Sequence, residues 1–307
     1  MVWRAARELA VLALAVLAAV SLVFILLRVV PGDPARLLLG EQASSADVEA
    51  LRRSLGLDEP LLTQYAAAIG RAASGDLGTS YRSHRPVARI VQQALPYTVT
   101  LGLLAMLLST TMAVLMGVAA GQARGRWPDT AVRLLAALGI SVPHIWLGPL
   151  LILIFAIGLH WAPTSYDGSW RSWVLPAVTL ASGLMAFMTR VVRAQYVELV
   201  HEPFVRTARA KGLAPRHVRW RHIVRNVLIP VVTVAGLQAG AVLSGSVVTE
   251  TMFGLPGLGQ VLVEGILQRD YPVVEGCALW MALTYLVMSR AVDWLHWTID
   301  PRMRAAA

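Results

Sequence analysis

The chain has 307 residues, of which 56% are hydrophobic and only 15% are charged. A typical soluble domain has about 25% charged residues, so this composition argues against a soluble globular enzyme. The net charge is +9, and Lys211 is the single lysine among 27 basic residues. A phosphate-binding P-loop needs a lysine followed by Ser or Thr. Because Gly212 follows Lys211, the chain cannot bind ATP through that motif. Cys277 is the single cysteine, which excludes an internal disulfide and a multi-cysteine metal site.

Charge-free apolar runs divide the chain into membrane spans, because about 18 such residues cross the hydrocarbon core. Five long runs cover residues 9–27, 90–123, 134–166, 172–189 and 226–249, and a shorter run covers 276–289. Trp280, Trp294 and Trp297 accompany the shorter run and suit interface anchoring, so we count it as a sixth span. Bulky residues follow the first run where signal cleavage needs small ones, so we expect a retained helix. The sequence thus predicts an all-α polytopic membrane protein with six spans.

Basic residues mark the cytoplasmic side of a membrane protein. Loop 190–225 holds nine of them against Glu198 and Glu202, and is therefore predicted to be cytoplasmic. Counting spans from this loop places both termini in the cytoplasm. The same count places the 31–94 segment, the 161–173 loop and the 253–272 loop outside.

The external segment carries local helix signals. Ser44 and Gly56 bracket a capped helix over 46–55, and Pro60 and Gly75 bracket a second helix. Pro86 can open a third short helix that leads into the second span. The segment is either a helical connector between two spans or a docking surface for an extracytoplasmic partner, and the sequence leaves both open.

The cytoplasmic loop contains a short helix that the sequence places over residues 203–211. Pro203 suits a helix start and Gly212 suits its end, which gives a length of about 13 Å. Pro215 opens a second helix, and the next span is expected to begin at residues 228–230. A slim helix with a rigid boundary at each end suits a groove on another protein. The alternative is that its arginines only satisfy the positive-inside rule.

Several blocks of this sequence resemble one family in order and over nearly the whole chain. Residues 206–212 (RTARAKG), with RH at 221–222 and LIP at 228–230, resemble the cytoplasmic-loop signature of ABC importer permeases. The other matching blocks are 31–34 (PGDP), 55–60 (LGLDEP), 64–65 (QY), 75–78 (GDLG), 250–259 (ETMFGLPGLG), 269–274 (RDYPVV) and 300–302 (DPR). Together they resemble the first permease subunit of the dipeptide, oligopeptide and nickel importers. The general signature opens with Glu-Ala-Ala, whereas this chain has Arg206, Thr207 and Ala208, the pattern usual in the peptide and nickel branch.

The resemblance implies a type I ABC importer permease fold with a helical external segment after span one. Its implied parts are an N-terminal span at 1–30, the external segment at 31–94, a permease core at 95–293 and a cytoplasmic tail at 294–307. Within the core, 193–226 would be the coupling loop. The residues implied to couple with an ATPase are Pro203, Phe204, Arg206, Thr207, Ala208, Arg209, Ala210, Lys211, Gly212 and Pro230. Gly212 and Pro230 would act as fixed corners of that lever.

The resemblance also implies partners and a location. The chain would sit in the cytoplasmic membrane of a bacterium with a second homologous permease, two ABC ATPase subunits and an extracytoplasmic substrate-binding protein. ATP and Mg²⁺ would be bound by the ATPases, so this chain would be no enzyme and would carry no cofactor. Beyond these proteins it would contact membrane lipid, and no nucleic acid. The expected cargo is di- and oligopeptides, with nickel, a metal chelate or a glutathione-like molecule as the alternative.

Polar residues within spans are candidates for the transport path, although helix–helix hydrogen bonding is the commoner role of each. They are Ser141, Gln238, Ser246, Thr249 and Glu250. Glu250 ranks first as a gate residue because a carboxylate at the end of a span is costly unless it is paired or faces water. His144 and His160 could be read as nickel ligands, but isolated histidines beside apolar spans are more often structural. An ion-coupled secondary transporter is disfavoured because the five long runs hold no charged residue.

Overall fold

The computed structural model describes residues 14, 17–18, 20–29, 32–40 and 43–299, with side chains described as far as residue 291. Over these residues the chain is helical, and the one extended pairing in them is an isolated antiparallel bridge between Thr79 and Pro86. The prediction of an all-α fold is therefore confirmed. The chain divides into two compact units. The first unit is Met1–Thr98 with Leu255–Leu286, and the second is Val99–Gly254 with Val287–Ala307.

The helices are named here in chain order. They are α1 (Val20–Val29), α2 (Pro34–Leu39), α3 (Ser45–Ser54), α4 (Leu61–Ser74), α5 (Val87–Gln122), α6 (Trp127–Ser141), α7 (His144–Leu151), α8 (Val174–Leu199), α9 (Pro203–Ala210), α10 (Pro215–His217), α11 (Arg225–Phe253), α12 (Leu258–Leu267) and α13 (Tyr271–Ile299). Helix α7 continues as a π-helix over Ile152–Gly158, α10 continues into α11 as a π-helix over Val218–Val224, and a 3₁₀ turn at Trp170–Trp173 precedes α8.

Four helical stretches are long and apolar enough to cross a membrane. They are Val87–Gln122, Trp170–Leu199, Pro215–Phe253 and Tyr271–Ala291. They match four of the six predicted spans. The pair α6 and α7 qualifies only as a fifth, bent span, with 104° between its halves. Of the predicted first span, residues 9–13, 15–16 and 19 lie outside the described residues, and α1 is its continuous described part. These spans are consistent with a total of six.

The run 134–166 contains Pro143, and the chain bends there instead of forming one straight helix. The chain leaves the helical conformation at Val142, whose ψ is 116°, and Pro143 then caps α7. Proline disfavours the helical conformation in the residue before it, which explains the break. A count of uncharged residues is blind to such a bend.

Two predicted helix boundaries are also wrong. Pro86 opens no separate short helix, because α5 starts at Val87 and continues unbroken to Gln122. No new helix begins at residues 228–230, because Pro230 lies inside α11 and the helical stretch runs on from Pro215. Pro86 does directly precede a helix, but that helix is the long span itself, whereas Pro230 is accommodated within a continuous helix.

The short helices of the first unit follow the predicted caps. The Ser44 hydroxyl accepts a hydrogen bond from the backbone N–H of Asp47 at 3.2 Å, which caps α3. Gly75 ends α4 with φ +74°, a conformation that favours glycine. Pro60 is the residue before α4 rather than its first turn. The two helices predicted from these signals are confirmed.

Asp270 fastens the turn at residues 80–82 within the first unit. It is 4% exposed, and its carboxylate accepts from the Ser80 hydroxyl at 2.5 Å and from the Tyr81 backbone N–H at 3.1 Å. Arg28 lies over the Phe24 ring at 3.3 Å and donates to the Gln64 side chain at 3.1 Å. Two of the blocks that carry the family resemblance, 64–65 and 269–274, thus make contacts within this unit.

Helix α8 is the central helix of the second unit. It packs against α6, α7 and α11. In the most apolar 18-residue segment of Trp170–Leu199, which contains α8, 61% of the residues are buried. The corresponding share is 33–39% in the other three long stretches. The remaining exposed apolar surface of these helices suits lipid and partner helices.

Candidate functional site

Helix α9 is the short helix predicted at 203–211, and it has one buried side and one exposed side. It packs against the π-helical stretch Val218–Val224. Val205 is fully buried and Ala208 is 5% exposed. The remaining side chains of α9 are exposed, including Pro203, Phe204 and Ala210. Helix α9 is therefore anchored through two small apolar residues and presents the rest of its surface outward.

Gly212 ends this helix in a conformation that favours glycine. Its φ is +76°, and its backbone N–H donates to the Arg209 carbonyl at 2.9 Å. The next N–H, of Leu213, donates to the Ala208 carbonyl at 3.4 Å. A Cβ at Gly212 would meet nothing within 4 Å, so the backbone angle and not space requires the glycine. The predicted helix end is thus confirmed, with Lys211 as its C-cap.

The exposed residues of α9 are followed in the chain by a second group of exposed residues, and we call the two groups together the cationic face. Its members are Phe204, Arg206, Thr207, Arg209, Lys211, Arg216, Trp220 and Arg221. Phe204 is 38% exposed and Trp220 is 45% exposed, which is unusual for aromatic side chains in water. Arginine and aromatic side chains are enriched at protein interfaces. The sequence reading found the cations of α9 but missed Trp220, whose signal was an aromatic residue between two arginines.

A buried ion pair joins α6 to the end of α8, the helix that precedes α9 in the chain. Asp129 in α6 is 1% exposed, and both of its carboxylate oxygens accept from the guanidinium of Arg193 in α8, with Nη2 to Oδ2 at 2.7 Å. The Gly125 backbone N–H donates to the same carboxylate at 3.0 Å. The carboxylate thus joins the turn after α5, the start of α6 and the end of α8. In the sequence Arg193 was counted only as one cation of the loop.

Two glycines bring α5 and α8 close together in the second unit. A Cβ at Gly117 would overlap Val192 and approach the Thr189 carbonyl oxygen to 2.9 Å. A Cβ at Gly121 would lie 2.6 Å from the Tyr196 ring. Gly117 and Gly121 form the small-xxx-small pattern of closely packed membrane helices. The sequence reading missed this pattern, although it was visible within the run 90–123.

The predicted path residues are only partly brought together. Ser246, Thr249 and Glu250 are all buried on α11. The Ser246 hydroxyl donates to the Leu243 carbonyl at 2.8 Å and the Thr249 hydroxyl to the Gly245 carbonyl at 2.9 Å. Both hydroxyls are therefore satisfied by their own helix.

The other candidates are more dispersed. Gln238 is half-buried on α11, and Ser141 is exposed on α6, where its hydroxyl donates to the Ala137 carbonyl at 2.9 Å. Glu250 is fully buried in the last turn of α11. Among the described residues, no group of three or more His, Cys, Asp or Glu side chains is placed to hold a metal ion.

The first unit contains a polar cavity of about 390 Å³. Arg28, Arg71, Gln64 and Tyr81 line it. Burial, and to a lesser extent the nearby Glu275 carboxylate, raise the pKa of Tyr81 to about 12. Tyr81 therefore stays protonated at physiological pH.

Comparison with known protein families identifies the class of membrane protein to which the chain belongs. Residues 113–305 match the family described as the binding-protein-dependent transport system inner membrane component. Residues 2–102 match the N-terminal part described for such a membrane component. The chain therefore belongs to this family of multi-pass inner-membrane permeases, in its peptide and nickel ABC importer branch.

Individual relatives agree along nearly the full length. The glutathione transport system permease protein GsiC of Escherichia coli (strain K12) is 41% identical over 283 residues, which are 92% of each chain. GsiC of Salmonella choleraesuis (strain SC-B67) is 40% identical over the same length and coverage. Among solved structures, an inward-facing conformation of the MetNI methionine ABC transporter matches with a TM-score of 0.54 at 18% identity, over 70% of this chain and 96% of that chain. The fold is thus that of type I ABC importer permeases.

Proposed function

We propose that this chain is the membrane subunit through which an ATP-driven importer moves short peptides, with glutathione, itself a tripeptide, as the first substrate to test. The 41% identity to glutathione permeases over 92% of both chains supports this choice. A nickel chelate remains the alternative cargo. The complex would contain a second permease, two ATPase subunits that bind ATP and Mg²⁺, and an extracytoplasmic binding protein. Both termini and the cationic face would lie on the cytoplasmic side.

The single observation that carries the mechanism is the two-sided geometry of α9. Val205 and Ala208 anchor the helix on the stretch that leads into α11, while its cations and Phe204 point outward. A helix held this way can pass a push from an ATPase into α8 and α11 as a rigid movement. Pro203, Gly212 and the C-cap Lys211 define its ends, and the long helix containing Pro230 would carry the displacement into the membrane.

A cysteine placed on the cationic face should cross-link to the ATPase subunit. The native Cys277 is fully buried, so the exposed Thr207→Cys provides the reactive thiol. In the assembled complex, a benzophenone maleimide on Thr207→Cys should give a photo-adduct whose mass is the sum of this chain and the ATPase. The matched control, Thr164→Cys in the 159–169 loop, should give no such adduct. An intact complex in which both positions fail to trap the ATPase would contradict the docking assignment.

Substrate choice is tested by uptake into proteoliposomes that contain the whole complex and its binding protein. Labelled glutathione and labelled dipeptides are expected to accumulate in an ATP-dependent manner and to compete with each other. A nickel–histidine chelate is the comparison substrate. Accumulation of the chelate without glutathione or peptide would overturn the peptide proposal and leave the coupling assignment intact.

A further inference from the structure

Two apolar grooves run side by side along the first turns of α8. One, of about 670 Å³, lies between α5 and α8 and is lined by residues such as Leu104 and Ala177. The other, of about 620 Å³, lies between the end of α7 and α8 and is lined by residues such as Phe155 and Leu175. Trp170, Val174 and Val178 line both grooves. A narrow ridge formed by these three residues is therefore the wall between them.

The length of the first groove along α5 is close to the thickness of one leaflet of a bilayer. Along α5 the first groove extends from Thr100 to Met112. At 1.5 Å per residue this is about 18 Å, close to half of a hydrocarbon core about 30 Å thick. Its lining is almost wholly apolar, so acyl chains are its chemically suitable occupants.

The second groove ends at a cationic and aromatic rim, of which Trp170 also lines the first groove. Arg171 and His160 line the second groove and are exposed, and the Arg171 guanidinium lies 5.8 Å from the centre of the Trp170 ring. Trp161 and Trp170 are 66% and 73% exposed, as expected for side chains at the membrane–water interface. The acid of this loop, Asp167, accepts from the Ser169 backbone N–H at 2.9 Å, and that bond lowers the pKa of Asp167. Arg171 is thus placed to bind an anion at the depth of lipid phosphates.

We propose that this site binds one diacyl phospholipid, with its phosphate on Arg171 and one acyl chain in each groove. Two chains joined at one anionic head fit two grooves that share a ridge, because Arg171 in the second groove follows Trp170, which lines both grooves. A protein helix fits less well, because its diameter of about 10 Å would lie over the ridge and leave both grooves empty beneath it. Binding of a phospholipid at this site is separate from the proposed transport of substrate.

The test is lipid retention by the purified complex. After delipidation, phosphatidylglycerol is added back and bound lipid is counted by native mass spectrometry. Wild type should retain one tightly bound lipid per chain. Arg171→Ala should weaken retention at least about tenfold, the effect of losing one charge-assisted hydrogen bond. Leu104→Trp, which fills one groove from its exposed side, should do the same with Arg171 intact.

The control is Arg82→Ala, which removes an exposed arginine from the first unit and should leave retention unchanged. Equal retention by wild type, Arg171→Ala and Leu104→Trp would overturn the proposal. Cross-linking distinguishes the rival occupant. If a photo-cross-linker on Val178→Cys captures the second permease instead of phosphatidylglycerol, the grooves are a protein interface and the lipid assignment is wrong.

Discussion

Replacing Asp129 with alanine is expected to destabilise the second unit by about 3 kcal/mol. The substitution leaves the Arg193 guanidinium, whose side chain is only 24% exposed, without its bidentate partner. It also removes the acceptor of the Gly125 N–H. We take the low end of the range for breaking a buried pair because Arg193 retains some contact with solvent. The measurement is the thermal unfolding midpoint of the purified complex.

The same substitution should reduce coupling between ATP hydrolysis and transport. Arg193 lies in the last two turns of α8, shortly before α9, and the ion pair joins this end of α8 to α6. Without it, a push on α9 can bend the end of α8 instead of moving α6 and α8 together. We expect ATP hydrolysis to respond less to loaded binding protein at temperatures where the complex stays folded.

Two variants make this expectation specific. Arg133→Ala is the matched control, because Arg133 is half-exposed and lies 3.7 Å from Asp129, a contact worth well under about 1 kcal/mol. The exchange Asp129→Arg with Arg193→Asp should recover part of both stability and coupling. If the exchanged pair behaves like Asp129→Ala, the charge pairing is not what positions α8.

Sequence patterns predicted the features that depend on nearby residues. The uncharged runs located α5, α8, α11 and α13 because crossing a membrane requires a minimum apolar length. Ser44, Gly75 and Gly212 marked helix ends because capping hydrogen bonds and positive φ are local requirements. The two buried residues of α9, Val205 and Ala208, were not predicted, although their spacing of three residues is a local signal of one buried side.

Features that depend on partners distant in sequence could not be predicted from local sequence patterns. Asp129 and Arg193 are 64 residues apart, and the positive-inside rule already gave Arg193 a sufficient explanation. Pro143 marks the place of the bend between α6 and α7, but a count of uncharged residues does not contain its angle of 104°. The hydroxyls of Ser246 and Thr249 are buried and hydrogen-bond to carbonyls of their own helix. Polarity within a span is therefore weak evidence for a transport path.

The pattern at Gly117 and Gly121 lies between these cases. Small residues four apart predict that another helix approaches closely, because removing side chains lets backbones meet. The pattern does not say which helix approaches. The structure supplies that partner, with Val192 and Tyr196 of α8 filling the space above the two glycines.

Placing a leucine at Gly117 should therefore separate α5 from α8 and destabilise the second unit by about 3 kcal/mol or more. The added Cβ would overlap Val192 and approach the Thr189 carbonyl oxygen to 2.9 Å, and backbone at that position can move only with the whole helix. Thermal unfolding of the purified complex measures the loss. Gly183→Ala is the matched control within α8, since a Cβ there meets nothing within 4 Å. It should be neutral or slightly stabilising, because alanine favours a helix over glycine by up to about 1 kcal/mol.

Gly121 allows the contact itself to be measured. Gly121→Ala should cost about 1–3 kcal/mol by overpacking against the Tyr196 ring. Tyr196→Ala should cost a similar or larger amount through the cavity it leaves. The double variant should lose at least about 1 kcal/mol less than the sum, because the alanine at position 121 no longer meets a ring. Strict additivity of the two losses would mean that Gly121 and Tyr196 do not touch in the membrane, and that α5 packs elsewhere.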